Sequence, residues 1–252
     1  MGSVGDDSAR YAWSNGHKDL EHEGELLHVK APSLLGRTSI GLTRPVVEAL
    51  WNESFLVYES ANESLAREES MYRDLQKHGF PTLEIVPSEV DGTLVTKRVP
   101  DAQPALDKMK NSKSSELAVI GDTLHLMKRL HEQHKTPWGD AWLGNVLYDG
   151  KSPVLFDFGM KTNPSMQTEK RFAKDVMNFY LNTSQRTSMT VDELAGYVLD
   201  TYQPDGLVHH FLGEQTQYRV NDWFGEQLFL RPVYNMNRKE EAAAKDAFLK
   251  QL

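Results

Sequence analysis

The segment from Trp138 to Gly159 constrains the fold more than any other part of this sequence. Asp140 is followed five positions later by Asn145, and Asp157 comes twelve residues after that, heading the tripeptide Asp157-Phe158-Gly159. Between Asn145 and Asp157 lie two apolar runs, Val146 to Tyr148 and Val154 to Phe156, separated by Asp149-Gly150-Lys151-Ser152-Pro153. Such a pattern reads as a β-hairpin. Three oxygen-bearing side chains flanking a hairpin suit a metal holder. The plainer reading is that Asp140 and Asn145 cap a turn and Asp157 closes the hairpin.

These residue types have a chemical logic together. Phosphoryl transfer needs positioning and neutralisation of charge by Mg²⁺, with little covalent help. Mg²⁺ prefers octahedral oxygen ligands, usually one or two carboxylates besides water and phosphate. Asp157 and the amide oxygen of Asn145 meet that demand, and Asp140 is the candidate to accept or orient the proton of an attacking hydroxyl. On these residues the segment resembles the catalytic and metal-binding loops of the protein-kinase-like superfamily. Trp138-Gly139-Asp140 stands where that superfamily has His-Arg-Asp or His-Gly-Asp, so Trp138 replaces the histidine that braces the loop. The resemblance implies a bilobal α+β fold with a small β-rich N-lobe and a mainly helical C-lobe, ATP and Mg²⁺ as cofactors, and a nucleotide as partner.

Along the chain, Glu25 to Lys30 and Ser54 to Tyr58 read as strands. Between them, Gly36-Arg37-Thr38-Ser39-Ile40-Gly41 reads either as an ordinary turn or as a loop in which Gly36 and Gly41 let backbone amides approach phosphate. Ala61 to Gly79 carries Leu65, Met71, Tyr72 and Leu75 at helical spacing and ends at Lys77-His78-Gly79, with Pro81 beyond. Thr82 to Val86 and Gly92 to Val99 read as extended, and Pro100-Asp101-Ala102-Gln103-Pro104 reads as a hinge. The expected organisation is a flexible tail at 1–24, a nucleotide-covering N-lobe at 25–100 and a C-lobe with the catalytic and metal loops at 101–252.

In the expected C-lobe, Leu117, Ile120, Leu124, Met127 and Leu130 mark a buried amphipathic helix from Ser115 to His134. His125, His131 and His134 on or near it lack the i, i+4 spacing of a helical zinc pair and are read as packing or surface residues. Lys170 to Leu181, Val191 to Tyr202, Gln215 to Leu230 and Lys239 to Leu252 read as further helices. Asp175, on the first of these, resembles the aspartate that braces the catalytic-loop backbone in related small kinases; its bland alternative is a solvent-facing charge.

Two lengths narrow the resemblance. About forty residues separate Pro100 from Asp140, less than the helical block that aminoglycoside and choline phosphotransferases usually insert there. Only about ten residues separate Gly159 from the next helix, with no Ala-Pro-Glu sequence to suggest a peptide-docking platform. What remains resembles the compact atypical group: RIO kinases, the KEOPS-complex kinase and lipopolysaccharide-core sugar kinases. In that family a lysine on the third strand clamps the α- and β-phosphates and pairs with a glutamate of the following helix. Glu68 matches the glutamate, but Phe55-Leu56-Val57-Tyr58-Glu59 has no lysine. Lys30, on the earlier strand, can supply the charge because adjacent strands lie about 5 Å apart. Its alternative is a snorkelling surface lysine.

Composition excludes some classes. The chain has 252 residues, 28 basic against 36 acidic, with no basic run that would suggest a nucleic-acid surface. It has no cysteine, so thiolate and disulfide chemistry are absent. No apolar run approaches a membrane span of roughly 18 residues, and the beginning of the chain has no leader-like pattern. A cytoplasmic setting is expected. Two functions stay in view: a phosphotransferase acting on a hydroxyl of an unknown protein or small-molecule acceptor, and a pseudokinase that binds nucleotide or acts as a scaffold without turnover.

Overall fold

A computed structural model describes residues 15–22, 25–32, 56–57, 61–88, 90, 92–149, 151–158, 161–217 and 235–252. The chain divides into two compact units, Met1–Pro100 with Asp157–Lys161, and Asp101–Phe156 with Thr162–Leu252.

In the first unit, β1 (Asn15–His22) and β2 (Glu25–Pro32) form an antiparallel hairpin, with Asn15 opposite Pro32 and His22 opposite Glu25. Residues 15–22 were expected in the tail. Leu20 is the only strongly apolar residue from His17 to His22, so no alternating pattern marks this strand in the sequence. β3 (Leu56–Val57) is short and lies outside the four-stranded sheet that holds the hairpin. Helix α1 (Ala61–Lys77) follows. Its buried residues Leu65, Glu68, Tyr72 and Leu75 recur at three and four, which places them on one face. The helix ends because Gly79 takes φ +70°. That turn lets Phe80 N–H reach the Leu75 carbonyl and Gly79 N–H reach the Gln76 carbonyl, a Schellman closure. β4 (Ile85–Val86) and β5 (Leu94–Lys97) complete the sheet, in the order β1-β2-β5-β4. β2 is therefore an interior strand, with Lys30 opposite His17 on one side and Leu94 on the other.

The second unit opens with β6 (Gln103–Pro104), the short α2 (Ala105–Met109) and α3 (Lys113–Gln133). The Ser112 side chain caps α3 by accepting from Ser115 N–H. The expected hairpin is present. β7 (Val146–Tyr148) pairs with β8 (Pro153–Leu155), with Leu147 opposite Val154, and β6 adds a third strand beside β7. The Asp149 carboxylate closes the turn by accepting from Lys151 and Ser152 N–H, which holds it below the ordinary aspartate value. Helices α4 (Thr168–Ser184), α5 (Val191–Tyr202), α6 (Gly206–Gln217) and α7 (Arg238–Gln251) follow. Capping boxes start two of them, Thr190 with Glu193 at α5 and Asn237 with Glu240 at α7. α6 was not expected from the sequence. The Asp205 carboxylate starts it by accepting from Leu207 and Val208 N–H. The helix read from Gln215 to Leu230 overlaps the end of α6 and otherwise lies outside the described residues. Among the described residues, no helix is long and apolar enough to cross a membrane.

Candidate active site

In the first unit, four polar side chains come together: Lys30 of β2, Glu68 and Tyr72 of α1, and Asp157. Lys30 Nζ donates to Glu68 Oε2 at 2.7 Å and to Asp157 Oδ1 at 2.7 Å. The Tyr72 hydroxyl donates to Glu68 Oε1 at 2.8 Å, and Asp157 N–H donates to the Tyr72 oxygen at 3.0 Å. Glu68 is 2% exposed, whereas the side chain of Asp157 is 34% exposed. Burial alone would lower the pKa of Lys30, but the charge of Asp157, and after it that of Glu68, outweighs burial and holds the ammonium above its ordinary value. Burial, and next the charge of Asp157, raises Glu68, with Lys30 opposing both. One cation thus serves two carboxylates.

The snorkelling alternative for Lys30 therefore does not hold. Sequence order had suggested that the clamp strand was the one directly before the helix, around Leu56 and Val57. In the fold the interior strand next to β5 is β2, and it carries Lys30 to Glu68. Gly36 and Gly41, the proposed phosphate-loop glycines, lie outside the described residues, as does Gly159.

Asp140 and Asn145 meet in the second unit. Asn145 Nδ2 donates to Asp140 Oδ2 at 2.8 Å and to the Asp140 carbonyl at 3.1 Å. Its amide nitrogen is thereby committed, which leaves the amide oxygen as the atom suited to a hard cation. Asn145 ends a 3₁₀ turn, Leu143–Asn145, and is 5% exposed. Gly144 in that turn is needed for space, since a Cβ there would lie 2.1 Å from the Trp142 ring.

The loop carrying Asp140 is braced from behind. Asp175 on α4 accepts from Trp138 N–H at 2.6 Å and from Gly139 N–H at 3.0 Å, so it is no solvent-facing charge. Gly139 takes φ +93°, a conformation that favours glycine. His131 on α3 hydrogen-bonds Asp175 Oδ2 at 3.1 Å through Nε2 and the Tyr202 hydroxyl at 2.7 Å through Nδ1. It also stacks on Phe172, with ring centroids 4.2 Å apart. Trp138 instead turns its indole N–H to the Phe156 carbonyl at 3.1 Å. His131 thus brings an imidazole to a loop that has none of its own, seven residues before Trp138. Sequence reading left His131 as a packing or surface residue and gave no sign of its link to the loop.

Each unit by itself offers an oxygen donor of the kind Mg²⁺ takes: the partly exposed carboxylate of Asp157 in the first and the amide oxygen of Asn145 in the second.

The fold is kinase-like. The chain is similar to WaaP solved in complex with acyl carrier protein, at TM-score 0.50 and 13% identity over 86% of each chain. It is also similar to APH(2")-IIa solved in complex with gentamicin, at TM-score 0.51 and 14% identity over 95% of this chain and 90% of that one. The Rio2 kinase from Chaetomium thermophilum matches at TM-score 0.48 and 19% identity over 82% of this chain and 71% of that one. No family model matches the sequence, and no curated protein matches it in sequence. At such identities the likeness is one of fold.

Proposed function

We propose that the protein is an ATP- and Mg²⁺-dependent phosphotransferase that delivers the γ-phosphoryl group to a hydroxyl of a protein or small-molecule acceptor. The observation that carries this reading is Lys30 held between Glu68 and Asp157 at 2.7 Å each, inside a kinase-like fold. In phosphoryl transfer of the kinase type, a lysine paired with a helix glutamate grips the α- and β-phosphates. The lack of a lysine beside Leu56 and Val57 had favoured the pseudokinase alternative, whereas the Lys30–Glu68 pair supports the enzyme reading.

Asn145 and Asp157 are the proposed oxygen ligands of Mg²⁺, which when bound would neutralise phosphate charge. Asp140 would accept or orient the proton of the acceptor hydroxyl. Asn145 fixes one oxygen of that carboxylate by donating to it. Asp175 fixes the backbone on which Asp140 stands.

Thermal denaturation with and without Mg-ATP tests the reading. Ligand at a hundredfold its dissociation constant stabilises a fold by about 2.7 kcal/mol, roughly 5 to 11 °C for a chain of this length. Asp157→Ala should abolish the Mg²⁺-dependent part of the shift. Asp140→Asn should keep binding and lose phosphate release from ATP across an acceptor panel. No shift at millimolar nucleotide would refute nucleotide binding, and wild-type turnover in Asp140→Asn would refute the assigned base.

A further inference from the structure

We infer that Tyr72 is a positioning residue for Asp157, coupling the orientation of that carboxylate to the Lys30–Glu68 ion pair; the inference rests on the phosphotransferase reading above. Lys30, Glu68, Tyr72 and Asp157 form a closed circuit of hydrogen bonds, each between 2.7 and 3.0 Å. Chemistry fixes the direction of every bond. The Asp157 N–H can only donate, so the Tyr72 oxygen accepts from it, and the single hydroxyl proton goes to Glu68.

The same helix holds the backbone around Asp157. Phe158 packs edge-on against the Tyr72 ring, with centroids 5.6 Å apart and planes at 85°. Arg67 donates to the Phe158 carbonyl at 2.6 Å. Asp157 itself has φ +58°, a left-handed conformation that a non-glycine residue keeps where its surroundings impose it. The Tyr72 oxygen is a hydrogen-bond partner of the backbone amide at this residue. Removing it frees the backbone to relax and swing the carboxylate, while the aromatic contact with Phe158 persists.

Tyr72→Phe isolates the hydroxyl. In a titration of Mg²⁺ followed by ATP-induced thermal stabilisation, the Mg²⁺ concentration for half the effect should rise about fivefold in the variant, the scale of one lost hydrogen bond. Stabilisation by ATP in EDTA should not change, a split that a purely structural role would not produce. An unchanged Mg²⁺ midpoint in Tyr72→Phe overturns the inference and leaves the phosphotransferase reading standing. A wild-type protein with no Mg²⁺-dependent stabilisation overturns that reading, and the inference with it. If Tyr72→Phe does not fold, amide hydrogen exchange in the wild-type protein decides. An Asp157 amide protected like the α1 core supports the inference, and one that exchanges at the rate of an open loop overturns it.

Discussion

Asp157 in the first unit and Asp175 in the second are both acidic groups at the end of a hydrogen-bonded network, but they are used in opposite ways. Asp175 is fully buried, with its two oxygens engaged by two backbone N–H groups and His131. Asp157 keeps a third of its side chain in solvent and meets Lys30 through Oδ1. A carboxylate enclosed by backbone donors stabilises one loop shape, and its desolvation is offset only while every partner is present. A half-open carboxylate beside a cation retains room for a ligand. The contrast separates an acid that shapes the site from one proposed to act within it.

The strongest attempt to break that contrast is Asp175→Ala. It leaves the Trp138 and Gly139 amides buried without their acceptor and His131 without its carboxylate, so a loss of about 3–5 kcal/mol is expected in urea denaturation. A loss under about 1 kcal/mol would show that the loop does not depend on this brace. Lys30→Met should cost less, roughly 2–4 kcal/mol, because Asp157 can turn to water while Glu68 cannot. Adding Glu68→Leu should recover most of that loss, as replacing a buried ion pair with apolar groups often does. If the double variant is as unstable as the single one, uncompensated charge is not the source of the cost.

The sequence displayed the second unit's part of this contrast better than the first's. The hairpin from Val146 to Leu155 is local: two apolar runs and a turn-rich stretch set its register without help from distant residues. Asp140 and Asn145 meet across five positions of chain, and their link was also open to reading. Lys30 and Glu68 are thirty-eight positions apart, and their meeting depends on strand order. Sequence order puts Leu56 and Val57 next to α1, but the sheet puts β2 beside β5, a choice made by non-local pairing. Tyr72 was recognised as a core position of α1, because helical spacing reports which face a residue occupies. The same spacing does not report which atoms its hydroxyl will touch. α6 was hidden for another reason: Pro204-Asp205-Gly206 reads as a turn, and the turn is also the helix start.

The smallest expected effect sharpens the contrast by asking whether burial or saturation with donors sets the strength of an enclosed carboxylate. Glu116 on α3 is 4% exposed and, like Asp175, accepts from a backbone amide, Ser188 N–H at 2.7 Å, as well as from the hydroxyls of Thr187 and Ser188. Burial pushes its pKa up, but the bonds from Ser188 and Thr187 outweigh burial and hold the carboxyl below the ordinary glutamate value. A depressed native pKa means that the stabilisation is fully present above the unfolded value of about 4.3 and is lost as pH falls through the native one. Glu116→Gln keeps the shape and removes the charge, so it should cost about 1–2 kcal/mol at pH 7. The gap between variant and wild type should close as urea denaturation is repeated from about pH 5 downward. A gap that stays constant across that range would mean that packing, not the ionised carboxylate, holds the Thr187–Ser188 turn against α3.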